Sequence, residues 1–162
     1  MDKSIDRIKC AMIIFELERG LGRICKEQRD LLNNSPTAKE ISKRTPEKAS
    51  DHQSIIENSY LAEVIAIALH VYKGTSLEPW LTNLNGLVVA LSLFEIRNAV
   101  SHPNRPFPSF YWYRCAAIAS DPAIDALGLN EVAHAFINAN EGRIQEPREE
   151  WLHKMRWSVP AL

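Results

Sequence analysis

Apolar residues recur every three or four positions along most of this chain, and no other feature constrains its fold as strongly. In the N-terminal stretch this spacing is carried by Ile5, Ile8, Met12 and Phe15. Residues spaced in this way lie along one side of an α-helix. No convincing alternation of apolar and polar residues marks a half-buried strand. The spacing therefore predicts an all-α fold, an up-and-down bundle of four to six helices.

Glycines and prolines divide this pattern into segments. The segments predicted to be helical are residues 4–32, 51–72, 77–82, 84–101, 109–119, 123–127, 130–138 and an exposed 146–157. Gly20 and Gly22 interrupt the first segment, which predicts a bend or a close contact with another helix there. Residues 33–52 are polar and include Pro36 and Pro46, so we expect a solvated connection with one helical turn at most.

The chain has 162 residues, of which 46% are hydrophobic. This is enough for one domain with a buried core, which we place at residues 1–140. Residues 141–162 are predicted to form a C-terminal helix or linker that leads toward a further domain. The chain starts without a signal-peptide pattern, and no apolar stretch is long enough to cross a bilayer. We therefore expect a cytoplasmic protein with no membrane partner.

The net charge of −1 excludes a basic field over the whole molecule, so any nucleic-acid site must be local. Cys10, Cys25 and Cys115 lie far apart and form no CxxC pair. We therefore expect three buried thiols rather than a zinc site or a disulfide framework. The sequence offers no cluster of metal ligands, and we predict neither a metal nor a cofactor.

The segment at residues 94–104 is the one most suggestive of chemistry. Pro103 disfavours the α conformation at His102, so a helix is expected to end there. Arg97 and His102 lie about 140° apart on an ideal helix, but a helix that ends at His102 frees its ring to swing toward Arg97. A histidine transfers protons near neutral pH, and an arginine neutralises charge developing on a phosphate. With the 2′-hydroxyl of RNA as nucleophile, the pair needs no metal, and Asn98 orients the phosphate or the histidine.

The surroundings of this pair favour phosphate binding. Residues 96–120 include three arginines and no acidic residue. The side chains predicted to contact the substrate are those of Ser101, Asn104, Arg105 and Arg114. Glu95 is interpreted as a surface acid or an ion-pair partner. The aromatic run at residues 107–113 is interpreted either as packing in the core or a dimer interface, or as a surface on which bases stack.

The RNAVSH segment at residues 97–102 resembles the R-x4-6-H motif of the HEPN superfamily, in the form in which a polar residue follows the arginine. As a helix pattern the resemblance covers roughly residues 4–140, but only the motif is specific. It implies a compact helical bundle and a metal-independent endoribonuclease that leaves 2′,3′-cyclic phosphate ends. Many such proteins are toxic effectors in toxin–antitoxin, abortive-infection and antiphage systems. Arg97 and His102 would be catalytic, with Asn98 in support.

The resemblance also implies partners. RNA would be the substrate, and two copies would dimerise through the helices that carry the motif. We expect Gly86 and Ala90 to share a face with Arg97, so that small residues let the second copy approach closely. The C-terminal residues look like the entry to another domain, as in STAND-type NTPases, which implies a regulatory NTPase domain beyond this chain. The alternative interpretation is a naturally short chain with a frayed tail.

Two other interpretations stay open. In the first, the chain is a non-catalytic HEPN module for dimerisation or partner binding, and Arg97 and His102 only complement the negative end of the helix dipole. This interpretation predicts a pair that is buried or splayed apart. In the second, the chain binds RNA through Arg97, Arg105 and Arg114 without cutting it, and the binding weakens with salt.

Overall fold

The computed structural model of the protein describes residues 3–44, 52–102 and 104–144. Within these ranges all regular structure is helical, which confirms the predicted all-α class. The helices are α1 (Lys3–Lys26), α2 (Arg29–Asn33), α3 (Pro36–Arg44), α4 (His52–Glu57), α5 (Leu61–Val71), α6 (Glu78–Ala90), α7 (Leu93–Ser101), α8 (Phe110–Ala119), α9 (Pro122–Ala126) and α10 (Asn130–Asn140). The helix predicted at residues 146–157 lies outside the described residues.

Helix α1 forms the centre of the bundle and packs against α5, α7, α8 and α10. The residues that it buries completely include Cys10, Ile13, Leu17 and Leu21. All five consecutive residues from Cys10 to Ile14 are buried, so α1 is covered by neighbours on more than one side. Helix α1 therefore fixes the positions of the helices that pack against it, including α7, which carries the RNAVSH segment.

Gly20 and Gly22 mark close helix contacts rather than a break in α1. A Cβ atom at Gly20 would fall 2.7 Å from Cδ2 of Leu129, and one at Gly22 would fall 2.8 Å from Cγ2 of Ile56. Helix α1 runs uninterrupted from Lys3 to Lys26. Of the two expectations for these glycines, the close contact is therefore confirmed, because neighbouring side chains occupy the space that a Cβ would need.

The predicted continuous helix over residues 84–101 is wrong. Ser92 adopts a left-handed conformation with φ 54° and ψ 43°, and α6 and α7 meet there at 63°. Gly86 and Ala90 are exposed on α6, whereas Arg97 is buried on α7. These three residues therefore share no face. The apolar spacing continues on both sides of Ser92, so periodicity carries no signal of the bend.

The polar connection predicted at residues 33–52 is corrected over part of its length. Pro36 opens α3, where proline is tolerated because the first helical N–H groups have no helical partner. Ser35 Oγ accepts a hydrogen bond from the backbone N–H of Ala38 at 3.3 Å. Ala38 and Ile41 are buried. The apolar residues are few, but their spacing still gives α3 a face that packs on the bundle.

The described residues form ten helices rather than the predicted four to six, because several predicted helices are broken. The predicted helix over residues 51–72 is divided into α4 and α5. Tyr60 precedes α5, and the backbone N–H of Tyr60 donates a hydrogen bond to Glu63 Oε1 at 2.9 Å. The predictions at residues 109–119, 123–127 and 130–138 agree with α8, α9 and α10 within three residues. Predicted residues 77–82 are the start of α6.

In the described part of the chain, no helix alone has the length and apolar character needed to cross a membrane. Within those residues, α6 and α7 taken together are the one pair that reaches that composition, and the 63° bend separates them.

Candidate functional site

Helix α7 ends at the histidine of the RNAVSH segment, as predicted from the proline that follows. His102 is extended, with φ −122° and ψ 92°, and its backbone N–H donates to the carbonyl of Ala99 at 3.3 Å. The residue is exposed to solvent. An accessible imidazole at a helix end is available for proton transfer to or from a bound molecule.

Arg97 lies in the interior, on the side of α7 that packs on α1. The residue is 8% exposed, and its Nε donates to Oε1 of Glu18 at 2.7 Å. Glu18 is 3% exposed. The guanidinium carbon also lies 5.1 Å from the centre of the Tyr60 ring, within the range of a cation–π contact. Arg97 therefore joins α7 to α1 through an ion pair in the core.

The two residues of the motif thus occupy different surroundings. Arg97 is held by Glu18 beneath the surface, whereas the His102 ring is outside. Among the hydrogen bonds of the described residues, none joins the side chains of Arg97 and His102. Nη2 of Arg97 is buried and has no hydrogen-bond partner among the described residues. The guanidinium therefore keeps one unused donor, and the catalytic assignment of Arg97, Asn98 and His102 stays a prediction.

Tyr60 contacts a second guanidinium as well. Arg44 lies 4.9 Å from the ring centre and forms an ion pair with Glu63. The hydrogen bonds to Glu63 raise the pKa of Arg44 above its usual value. Tyr60 is 42% exposed, and its ring contacts the guanidinium groups of both Arg44 and Arg97. The ring that contacts Arg97 is therefore itself held by a charged pair.

Arg7 is a residue of this region that sequence reasoning missed. From α1 it donates to the carbonyl of Ala99, to that of His102 at 3.2 Å and to that of Arg105 at 2.9 Å. Its guanidinium also lies 4.9 Å from the ring centre of Phe107. Partial burial lowers the pKa of Arg7 below its usual value. Nothing in the spacing of α1 distinguishes Arg7 from other polar residues, so the sequence contains no signal for this role.

The residues predicted to contact substrate are divided between the two ends of α7. Asn104 and Arg105 are exposed just beyond His102, and Asn98 is exposed on α7. Ser101 Oγ donates to the carbonyl of Arg97 at 3.1 Å. Arg114 lies at the other end, where Nη1 donates to the carbonyl of Leu91 at 3.4 Å and the guanidinium lies over Phe110. These substrate contacts stay predictions.

The aromatic run is divided between core and surface. Phe107 and Tyr111 are buried and pack edge to face with their ring centres 5.1 Å apart. Phe110 and Tyr113 are exposed, Tyr113 by 66%. Glu95 accepts a hydrogen bond from the Tyr111 hydroxyl at 3.2 Å. Core packing therefore accounts for Phe107 and Tyr111, and also for Trp112, which stacks on Phe136 with ring centres 5.9 Å apart, whereas Phe110 and Tyr113 are open to a ligand or a partner.

The three cysteines are buried, as predicted. Burial raises the pKa of the Cys25 thiol to about 12 and raises that of Cys10 as well. Neither is therefore an activated nucleophile. Among residues 3–44, 52–102 and 104–144, no group of three or more metal-ligating side chains comes together.

Comparisons with protein-family models, with curated proteins and with solved structures gave no match to this chain.

Proposed function

We propose that this chain is a metal-independent endoribonuclease of the HEPN type, and that His102 transfers the proton in its reaction. The observation that carries the proposal is the exposed imidazole at the end of α7, in a stretch of sequence that holds arginines and no acidic residue from position 96 to 120. A stretch of sequence with arginines and no acidic residue suits a phosphate, and an accessible histidine suits acid–base chemistry on it. The protein acts in the cytoplasm as a toxic effector of antiphage defence or of a toxin–antitoxin-like system.

In the proposed reaction the ribose 2′-oxygen attacks the adjacent phosphorus while the bond from phosphorus to the 5′-oxygen breaks. One imidazole accepts the 2′-hydroxyl proton, and a second imidazole, or the same one later, gives a proton to the leaving 5′-oxygen. The products are a 2′,3′-cyclic phosphate and a 5′-hydroxyl. In a homodimer His102 of each copy is available for these two steps, and an NTPase domain beyond this chain is the proposed regulator.

Arg97 contributes to this reaction in one of two ways that experiment separates. Its unused Nη2 donor suits a phosphate oxygen, provided that substrate or a second copy displaces side chains that bury it, such as the Tyr60 ring in contact with the guanidinium. Alternatively, the ion pair with Glu18 only holds α7 in place. The exposed guanidinium of Arg105, three positions beyond His102, is then the nearer cation along the chain.

The test is RNA cleavage in the presence of EDTA. We expect the wild-type chain to cut RNA and to leave cyclic phosphate ends, and we expect His102→Ala to abolish cutting with the helical circular dichroism spectrum retained. His134→Ala is the matched control, because His134 is an exposed histidine on α10. Cleavage that survives His102→Ala, or that EDTA removes, contradicts the proposal.

A second candidate function is a non-catalytic module for dimerisation or partner binding. The burial of Arg97 against Glu18 favours it, because a motif arginine engaged in the core has a structural role already. The exposed Val89 and Tyr113 also offer apolar surface for a partner. This candidate predicts no RNA product, together with self-association that sedimentation detects and that Val89→Glu weakens. Binding of RNA without product, lost at high salt, would instead favour a purely RNA-binding domain.

A further inference from the structure

The last turn of α7 and the turn after it are held by one side chain from another helix. Three backbone carbonyls, on Ala99, His102 and Arg105, accept hydrogen bonds from the guanidinium of Arg7. Arg7 is on α1, 92 to 98 positions before these three residues in the chain. The accepting carbonyls lie before, at and after the histidine, so Arg7 fixes the backbone on both of its sides.

Such a contact has a clear physical origin. The last four carbonyls of a helix have no partner within the helix, and a cation near them also interacts favourably with the helix dipole. A guanidinium has five N–H donors in a planar fork, so it can serve several carbonyls at once. Here Nη1 reaches Ala99 and His102, and Nη2 reaches Arg105. Phe107 stacks on the same guanidinium and holds its plane.

The consequence for the imidazole is geometric. His102 is exposed, so packing of its own ring does little to orient it. The direction of its Cα–Cβ bond follows from the backbone, and that backbone is tied by the Arg7 contacts and by the hydrogen bond from the Arg105 N–H to the His102 carbonyl at 3.0 Å. In acid–base catalysis a small displacement of the transferring group is costly, because proton transfer requires hydrogen-bond distance.

We propose that Arg7 is a positioning residue for His102: its guanidinium, by holding the carbonyls of Ala99, His102 and Arg105, sets where the imidazole lies. This inference rests on the proposed function for its kinetic consequence, but the placement of the ring can be measured without any activity. In this role Arg7 donates hydrogen bonds to protein carbonyls and does not contact the substrate.

The experiment compares Arg7→Met, Arg7→Lys and Arg23→Met in the full chain. Methionine keeps the apolar stem of arginine and removes the charge and the fork, whereas lysine keeps the charge on a single nitrogen. Arg23 is the matched control, since it lies on the same helix and its Nη2 donates to the carbonyl of Gly128 at 3.0 Å, away from His102. Kinetics are measured on RNA well below the unfolding temperature of each variant.

We expect kcat of Arg7→Met to fall by about 100-fold, the loss typical of a catalytic group displaced by about 1 Å, with a smaller change in KM. Arg7→Lys should recover only part of kcat, because one ammonium does not reproduce the fork, and Arg23→Met should leave kcat unchanged. A kcat for Arg7→Met equal to that of wild type overturns the inference. Full recovery in Arg7→Lys overturns it too, since charge alone would then be sufficient.

A second measurement keeps this inference separable from the proposed function. The His102 ring signals are identified in a two-dimensional NMR spectrum by their absence from His102→Gln. We expect them to shift and broaden in Arg7→Met and to stay in place in Arg23→Met. If the wild-type chain cuts no RNA, the proposed function fails, and the NMR comparison alone decides whether Arg7 positions the ring. Unchanged His102 signals in Arg7→Met overturn the inference whatever the activity is.

Discussion

The buried ion pair between Arg97 and Glu18 gives a quantitative prediction for the free energy of unfolding. Both side chains are almost entirely inaccessible to solvent, and Nε lies 2.7 Å from Oε1. Removing one partner of a buried pair costs about 3–5 kcal/mol, because the other charge stays in the core without its counter-charge. Loss of the contact between Arg97 and the Tyr60 ring adds to this cost.

We therefore expect Arg97→Met to lower the free energy of unfolding by about 3 kcal/mol, the lower end of the range for a broken buried pair. For a chain of this size that loss lowers Tm by about 6–12 °C. The assay is urea unfolding followed by circular dichroism, in which the midpoint should fall without a change in the m-value. Arg19→Met is the control, because Arg19 is an exposed arginine on α1 whose pair with Glu16 spans 3.8 Å, and it should cost less than about 1 kcal/mol.

The variants Glu18→Leu and Glu18→Leu/Arg97→Met complete the double-mutant cycle. Since a buried ion pair is often no more stabilising than apolar residues of similar volume, we expect the double variant to recover to within about 1 kcal/mol of the wild-type stability. A cost below about 1 kcal/mol for Arg97→Met alone would refute the reasoning, because it would mean that Arg97 is not held in the core. The cycle also separates stability from chemistry: if the double variant folds but no longer cuts RNA, while Glu18→Leu alone still cuts, Arg97 acts on the phosphate.

Three further predictions concern the helices around the site. Gly22→Ala should destabilise by about 1–3 kcal/mol through overpacking, whereas Gly86→Ala, where a Cβ meets nothing within 4 Å, should stabilise α6 by up to about 1 kcal/mol in thermal unfolding. Burial raises the pKa of Tyr72 from 10.0 to about 12. The neutral Tyr72 hydroxyl therefore stabilises the fold fully below pH 10, and this contribution is lost as the pH rises from 10 toward 12. In pH titrations of unfolding, Tyr72→Phe should show a shallower loss of stability over that range. Ser92→Gly should raise the free energy of unfolding by about 1 kcal/mol by relieving the left-handed conformation, and Ser120→Gly, at φ −93°, should not.

Each of these has a result that contradicts it. Equal effects of alanine at Gly22 and Gly86 would mean that the close contact at Gly22 is absent. Parallel alkaline titrations of wild type and Tyr72→Phe would mean that Tyr72 ionises alike in the folded and unfolded chains. A loss of stability in Ser92→Gly would mean that the bend between α6 and α7 does not depend on the backbone conformation of Ser92.

Part of the candidate site follows from local sequence. The end of α7 at His102 was predicted because a proline restricts the residue before it, and that steric effect operates between neighbours. The exposure of His102 is consistent with a polar residue at a helix end. By contrast, the partners of Arg97 and of the His102 backbone are Glu18 and Arg7, which are 79 and 95 positions away in the chain. Spacing within one segment contains no information about contacts at that separation.

The sequence by itself determined that this protein is all-α, because the 3.6-residue repeat of a helix and the burial of apolar area act on every stretch of chain separately. Only the tertiary structure decided that Ser92 bends α6 away from α7, that α3 packs on the bundle, and that Arg97 turns inward while His102 stays outside. These outcomes depend on which surfaces meet when the helices pack, and the free energy of that packing is shared among residues far apart in the chain.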